Sequence, residues 1–326
     1  MIIAKTPLRV SFFGGGTDLP DFFSKHGGAV LGTSIDKYVY HSVSSFPSHL
    51  FDYSVRISYS KVECVRSTAE IEHTPFREIL KDFQLDRDIE IHVAADLPSF
   101  SGLGTSSAFT VGLIKALHAF KGRHISRSEL ASEAIRIEQQ VLKEAVGCQD
   151  QAFAAHGGLN QMRFSRSGDV VVERVSMPGH RREELSQSLM LFFTGITRRA
   201  QNIEMNKIKN MARIEGNLLK MLRHVDTACD ILTGTGSMTP LGLLLNETWR
   251  EKRELDPAVS NPTIDAMYEK ALEAGALGGK LLGAGGGGFM LFFVPPEQRR
   301  TLRTALAGYH EIPFQIDAPG ASIIHD

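Results

Sequence analysis

The residues best suited to chemistry lie in LPSFSGLGTSSAF, Leu97 to Phe109, where small side chains and hydroxyls fill the passage from one patterned segment to the next. Gly102 and Gly104 let the backbone approach a ligand closely. Thr105, Ser106 and Ser107 put hydroxyls where the first unpaired N–H groups of a helix point, and Pro98, Ser101 and Leu103 complete the stretch. An anion suits such a start. The same Ser and Thr run also reads as a capped helix without a ligand, and this segment alone leaves both open. It is not the G-x-x-x-x-G-K-[ST] loop, because no Lys follows Gly104, so a nucleotide bound here needs cations from elsewhere.

Two more glycine clusters accompany it. KTPLRVSFFGGGTDLP, Lys5 to Pro20, sets Arg9 inside an apolar segment and places Thr17 and Asp18 directly after Gly14, Gly15 and Gly16. Taken singly, an Arg in a strand is ordinarily a snorkelling surface residue and an Asp after glycines a turn cap. KLLGAGGGGF, Lys280 to Phe289, formally contains G-x-G-x-x-G. The dinucleotide fingerprint needs a strand entering and a helix leaving, whereas here a helical pattern precedes and an apolar strand follows. Either a tight connection or a backbone wall against a ligand accounts for the run. Three such clusters in one chain, one bearing hydroxyls and one flanked by Arg and Asp, point to a polar ligand.

Phosphoryl transfer needs phosphate donors, a divalent cation and a residue that orients or deprotonates the attacking hydroxyl. Mg2+ prefers oxygen ligands, one or two of them from protein; Glu138, in RIEQQ, and a cradle hydroxyl such as Ser106 are candidates. Asp150, between Gln149 and Gln151 just past a predicted helix end, is the candidate for the attacking hydroxyl, although alone it also reads as an exposed turn acid.

These residues must be positioned by a sizeable fold. The 326 residues are 42% hydrophobic and 22% charged, with 36 basic and 37 acidic side chains and a formal charge of −1. This balance gives no argument for a nucleic-acid or anionic-membrane partner. Cys64, Cys148 and Cys229 form no C-x-x-C pair, so neither a disulfide framework nor a structural zinc site is suggested. The opening MIIAKTPLRVSFF lacks a signal-peptide pattern, and no run of ~18 apolar residues is present. A cytoplasmic location is expected.

Period-two alternation predicts short strands at Ile2–Ile3, Leu8–Phe13 and Val30–Ser44, and again at Ile89–Val93, Val170–Val175, Leu189–Thr194 and Phe289–Val294. Helices are predicted over Glu70–Phe83, from the cradle through Phe120, and from a Ser126/Glu129 capping box through Val146. Further helices are expected at Ala200–Thr233, Gly242–Leu255 and Thr263–Ala274, with the polar run Gly179–Glu184 as a domain boundary. Strands and helices without regular βαβ repetition argue for α+β packing.

In order and spacing, FFGGGTDLPDFF, GGAVLGTSIDKYVY, SGLGTSSAFTVGL, QDQAFAAHGGLN, LFFTG and GGKLLGAGGGGF resemble the GHMP kinases, the superfamily of sugar and mevalonate kinases, over nearly the whole chain. Within it they look like the bacterial D-glycero-D-manno-heptose 7-phosphate kinases. The resemblance implies an α+β protein of two domains, residues 1–182 like ribosomal protein S5 domain 2 and residues 183–326 ferredoxin-like, with the site between them. It implies ATP against the middle cradle, phosphates lined by Gly102, Gly104, Thr105 and Ser107, Mg2+ on Ser106 and Glu138, and Asp150 as catalytic aspartate beside Arg9. Gly15, Gly16, Thr17 and Asp18 would fall in the sugar-contacting segment, and Gly285, Gly286 and Gly287 in the closing wall. Asp150 as base and Asp150 as positioning group both stay open.

The implied reaction phosphorylates the anomeric hydroxyl of heptose 7-phosphate to the 1,7-bisphosphate, on a route to GDP-heptose and surface polysaccharide. A kinase for an unphosphorylated sugar such as L-fucose and a non-catalytic sugar-binding regulator are the alternatives. Cys148 stands where the heptose kinases carry Lys, and Gly15 and Gly16 stand where galactokinases carry an acid and a histidine. Arg198, Arg199, Lys280 and Lys37 are candidates for a substrate phosphate, and the resemblance allows a homodimer.

Overall fold

The structure is a computed structural model that describes residues 1–99, 101–197 and 201–326. Its strands are β1 (Ile2–Phe13), β2 (Gly28–Ser45), β3 (Val55–Ser58), β4 (Val62–Val65), β5 (Ile89–Ala95), β6 (Leu159–Phe164), β7 (Val170–Arg174), β8 (Leu189–Phe193), β9 (Gly278–Leu281), β10 (Phe289–Phe293), β11 (His310–Glu311) and β12 (Ser322–His325). Its α-helices are α1 (Pro20–His26), α2 (Thr74–Asp82), α3 (Thr105–Phe120), α4 (Arg127–Arg136), α5 (Gln149–His156), α6 (Gly179–Ser188), α7 (Gln201–Lys209), α8 (Met211–Thr233), α9 (Thr239–Arg253), α10 (Pro262–Glu273) and α11 (Arg299–Ala305).

The first sheet runs β12-β1-β2-β5-β3-β4, with β6 and β7 branching from β2. The two pieces expected at the start of the chain are one strand. Pro7, which cannot donate to a ladder, sits at a register shift against β2. β2 spans 18 residues because its halves serve different neighbours on one side: Gly28–Thr33 pairs β6, and Val39–Ser45 pairs β5. α3 packs across β1 and β2.

The second sheet, β11-β8-β10-β9, is antiparallel throughout. In chain order it is β8, helices, β9, β10, α11, β11, the split βαβ plan of a ferredoxin-like unit. Its two central strands, β8 and β10, are apolar without interruption because both faces are covered. Leu189, Leu191, Phe289, Leu291 and Phe293 face a core shared with the first sheet. Met190, Phe192, Met290 and Phe292 face Trp249, Ile264, Met267 and Leu302 on the far side.

Several elements differ from expectation for identifiable reasons. α2 starts only at Thr74, because Pro75 fixes its first turn and a 3-10 turn covers Thr68–Glu70. The Ser126/Glu129 capping box is present, but the helix it opens ends in a π turn, Ile137–Val141, and Lys143 follows in the left-handed region (φ 55°). The helical stretch after Ala200 divides at Asn210 into α7 and α8.

The polar run Gly179–Glu184, taken as a boundary, lies in α6. Its buried Arg181 donates to Ile231 O, Leu232 O and Gly236 O at 2.7, 3.1 and 2.8 Å, closing the end of α8. Residues 322–325 return to the first sheet beside β1. The G-x-G-x-x-G run connects two antiparallel strands, β9 and β10, so a strand enters as well as leaves.

Candidate active site

Strand alternation places Arg9 and Ser11 on the face of β1 opposite Leu8 and Val10. Both line a cleft between the two sheets, and they are only 4% and 6% exposed. All three nitrogens of Arg9 donate: Nε to Asp150 Oδ1 at 2.8 Å, Nη2 to Asp150 Oδ2 at 2.7 Å and Nη1 to Gly102 O at 2.5 Å. Asp150 occupies the first turn of α5, where a carboxylate is favoured by the helix dipole. The bidentate pair fixes the carboxylate's plane and leaves its side chain 26% exposed to the cleft.

The cradle meets this pair directly. Gly102 and Gly104 have φ of +80° and +75°, and a Cβ on Gly104 would lie 3.1 Å from Arg9 Cγ and 3.4 Å from Asp150 Oδ2. Gly104 is the N-cap of α3 and no side chain caps that helix, so its opening turn is left to a ligand or water. Ser101, Gly102, Gly104, Thr105, Ser106 and Ser107 all line the cleft. Pro98 is exposed outside that lining. Leu103 is buried and contributes its carbonyl, which accepts from Arg9 N at 3.0 Å.

Glu138 is carried by the π turn and is 1% exposed. One oxygen, Oε2, accepts from Ser107 Oγ at 2.9 Å and from Gln151 Nε2; Oε1 has no partner among the described residues. Burial pushes its carboxyl up to about 7. Ser106, paired with Glu138 on sequence grounds, is exposed on the cleft wall, and Ser107 is the hydroxyl that touches the carboxylate. A buried carboxylate with one orphaned oxygen, beside serine hydroxyls at the cradle, is a donor set that fits Mg2+.

Asp18, 2% exposed, accepts from Gly16 N at 3.0 Å, Gln149 N at 3.2 Å and Gln149 Nε2 at 3.0 Å. Burial, with Asp150 nearby, raises its carboxyl to about 6. Gly15, Gly16 and Asp18 line the cleft. Thr17 does not: it is fully buried, and its hydroxyl lies 2.8 Å from both Gly14 O and Ala29 O and accepts from Ala29 N at 3.1 Å, holding the turn. Cys148 donates its N–H to Asp18 O at 3.2 Å, and burial pushes its thiol up to about 12.

The wall of the cleft is Gly283 and Ala284, not Gly285, Gly286 and Gly287. A Cβ on Gly285 would strike Val259 at 2.6 Å and one on Gly287 would strike Ile196 O at 2.7 Å, while Gly286 N donates to Val259 O at 2.9 Å. These glycines let the turn pack against its own domain. Lys37 sits 3.8 Å from Asp36 and away from the cleft; Arg198 and Arg199 lie outside the described residues. Lys280 is in the cleft and 2% exposed.

Sequence reasoning missed Lys207, Lys252, Glu204, Ser11 and Gln149, all of which line the cleft. Two of them carried a signal. Ser11 is two residues from Arg9 on a strand. Lys252 continues the buried stripe Leu245, Thr248 and Trp249 at helical spacing. Ser11 Oγ and Gln149 Oε1 are buried without partners among the described residues, a second mark of a polar ligand.

The cleft thus joins an uncapped helix start, a carboxylate held by a guanidinium and an orphaned acid, the parts phosphoryl transfer requires. Comparison with known proteins agrees. The family model for the GHMP kinases N terminal domain matches residues 61–158, and that for the GHMP kinases C terminal domain matches residues 225–311. A D-glycero-alpha-D-manno-heptose 7-phosphate kinase of Campylobacter jejuni is 32% identical over 301 residues, 87% of this chain and 86% of that one. An L-fucokinase/L-fucose-1-P guanylyltransferase of Bacteroides fragilis is 26% identical over 87% of this chain and 34% of its own. A crystal structure described as a D-glycero-D-manno-heptose 1-phosphate kinase from Bacteroides thetaiotaomicron superposes with TM-score 0.81 at 25% identity, covering 100% and 99% of the two chains. The chain belongs to the GHMP kinase family and has its two-domain fold. It is a kinase of the sugar-phosphorylating kind.

Proposed function

We propose that this kinase uses ATP to phosphorylate the anomeric hydroxyl of D-glycero-D-manno-heptose 7-phosphate, giving the 1,7-bisphosphate. The observation that carries the reading is the Arg9–Asp150 pair, held in two bonds of 2.8 and 2.7 Å against a cradle glycine, in a cleft otherwise rich in buried cations. The heptose 7-phosphate named for one relative supports the acceptor, and the heptose 1-phosphate named for a solved structure supports a phosphorylated heptose with its phosphate at another position. Residues 1–182 and 183–326 act as the two walls, with β12 strapping the second back to the first.

In this reading Asp150 accepts a hydrogen bond from the acceptor hydroxyl and orients it toward the transferring phosphorus. Arg9, bound to both oxygens, fixes the orientation of the Asp150 carboxylate. The amides and hydroxyls of Gly104 to Ser107 hold the nucleotide phosphates. Glu138, with Ser106 and Ser107, would hold Mg2+, which when bound offsets phosphate charge. A loose transition state asks little of a base, so positioning dominates Asp150's contribution. The buried thiol of Cys148 and the exposed one of Cys64 fit a reducing cytoplasm.

The test is ADP release with ATP and Mg2+ over heptose 7-phosphate, free heptose, fucose, galactose and mevalonate. Preference for the sugar phosphate of at least ~100-fold in kcat/KM, or ~2.7 kcal/mol, is expected. Comparable or better turnover of a free sugar overturns the acceptor assignment.

A further inference from the structure

Of the four cations lining the cleft among the described residues, Arg9 is held by the Asp150 carboxylate through two donors and by Gly102 O through a third. Lys207 from α7, Lys252 from α9 and Lys280 from β9 are 3%, 6% and 2% exposed. They come from three elements of the second half of the chain and converge on the turn after β9. Lys207 Nζ donates to Glu204 Oε1 at 3.0 Å and Ala284 O at 3.1 Å. Lys252 Nζ donates to Leu281 O at 2.7 Å and Gly283 O at 2.6 Å, and Lys280 Nζ to Phe12 O at 2.9 Å.

An ammonium has three donors. Among the described residues, one on Lys207, one on Lys252 and two on Lys280 therefore remain uncommitted. Of the three, only Lys207 has a carboxylate within ion-pair distance among the described residues. Burial, with Arg9 and Lys207 close by, pulls the Lys280 ammonium down to about 7. Buried cations without counterions are costly, and the carbonyls holding them cancel no charge. The uncapped start of α3 already serves nucleotide phosphates; the turn after β9 packs on its cradle, where a Cβ on Gly283 would lie 2.6 Å from Gly102 Cα, and Lys280 lies near Arg9 and Asp18. A free sugar would offer the lysines only neutral hydroxyls.

We propose that Lys207, Lys252 and Lys280 form a dianion subsite for a phosphate group already carried by the acceptor, and that they select sugar phosphates over free sugars. This rests on the reading of the acceptor as a sugar phosphate.

The experiment compares the wild-type kinase with Lys252→Met and Lys280→Met. It reads kcat/KM for heptose 7-phosphate and free heptose, KM for ATP, and inhibition by inorganic phosphate. Each variant is expected to lose at least ~30-fold in kcat/KM for the sugar phosphate, mostly through KM, collapsing its advantage over the free sugar. Inorganic phosphate is expected to compete with the acceptor in the wild type and to lose at least ~10-fold in potency in the variants. A wild type that prefers the sugar phosphate while its variants keep that preference overturns the subsite alone. A wild type that turns over only free sugars overturns the substrate reading and the subsite together. Inorganic phosphate competing with ATP and not with the acceptor assigns the lysines to the nucleotide and overturns the proposal, even should neither variant fold.

Discussion

Asp150 and Glu138 are two carboxylates in one cleft with opposite surroundings. Asp150 is fixed by a guanidinium and faces solvent; Glu138 is buried with a bare oxygen. Asp150→Asn keeps the volume but presents an amide where Arg9 needs an acceptor. Turnover should fall by ~10²–10⁴-fold, with ATP affinity changed by less than about threefold; single-turnover kinetics and nucleotide titration check both. Near-normal kcat would remove Asp150 from the reaction.

Glu138 contributes to the pH dependence of stability. Its carboxyl rises from 4.5 to about 7 on folding, so the folded state holds the proton more tightly. That contribution is complete below about pH 4.5 and is lost as pH rises through 7. Asp18, raised from 3.8 to about 6, acts in the same direction. Glu138→Gln should therefore stabilise the metal-free protein at pH 8 by ~1–3 kcal/mol in urea unfolding, and should remove most of the thermal stabilisation given by Mg2+ with ATP. A variant less stable than wild type at pH 8 would count against the buried, cation-seeking reading of this acid.

At the scale of elements, the glycines divide into those another chain segment touches and those it does not. Gly288 has φ +103°, and a Cβ there would lie 2.3 Å from Ser101 O, so this residue sets how closely the β9–β10 turn approaches the cradle. Gly288→Ala should destabilise the protein by ~2–4 kcal/mol and raise KM for ATP. Gly216, inside α8, has open space around its missing Cβ and no positive φ. Gly216→Ala should stabilise by ~0.5–1 kcal/mol without touching kinetics. Thermal melts of the two variants read the contrast.

The same elements show what was legible in the sequence. β5, the cradle and α3 could be read because the apolar period changes from two to 3.6 across the glycines. Asp150, Arg9, Asp18 and the Ser126 cap were readable from local context and resemblance. α6 was not, because Arg181 is buried by carbonyls of α8 that lie 50 residues away. The π turn has no sequence signature of its own. Lys207 sits among NKIKN and Lys252 among REKRE, polar runs that read as solvated helix faces. Only tertiary packing decides which one cation in each is drawn inside.

For the whole molecule, the decisive feature is that one core runs through both sheets. Leu31, Val225, Leu241 and Phe289 belong to a single buried cluster, and Lys280 ties β9 to the first strand through Phe12 O. The two walls should therefore unfold together. A single calorimetric transition with matching van't Hoff and calorimetric enthalpies is expected; two resolved transitions would show that the walls are energetically separate.

The bond from Lys280 to Phe12 spans 268 positions of chain, and β12 reaches β1 from farther still. On a ribosome adding about 5–20 residues per second, the first strand therefore waits roughly 13–54 s for its Lys280 partner. Through that interval one edge of β1 is unpaired and the cleft has only one wall. No ligand of the finished cleft can hold the nascent chain together, so protection during synthesis must come from chaperones or from speed.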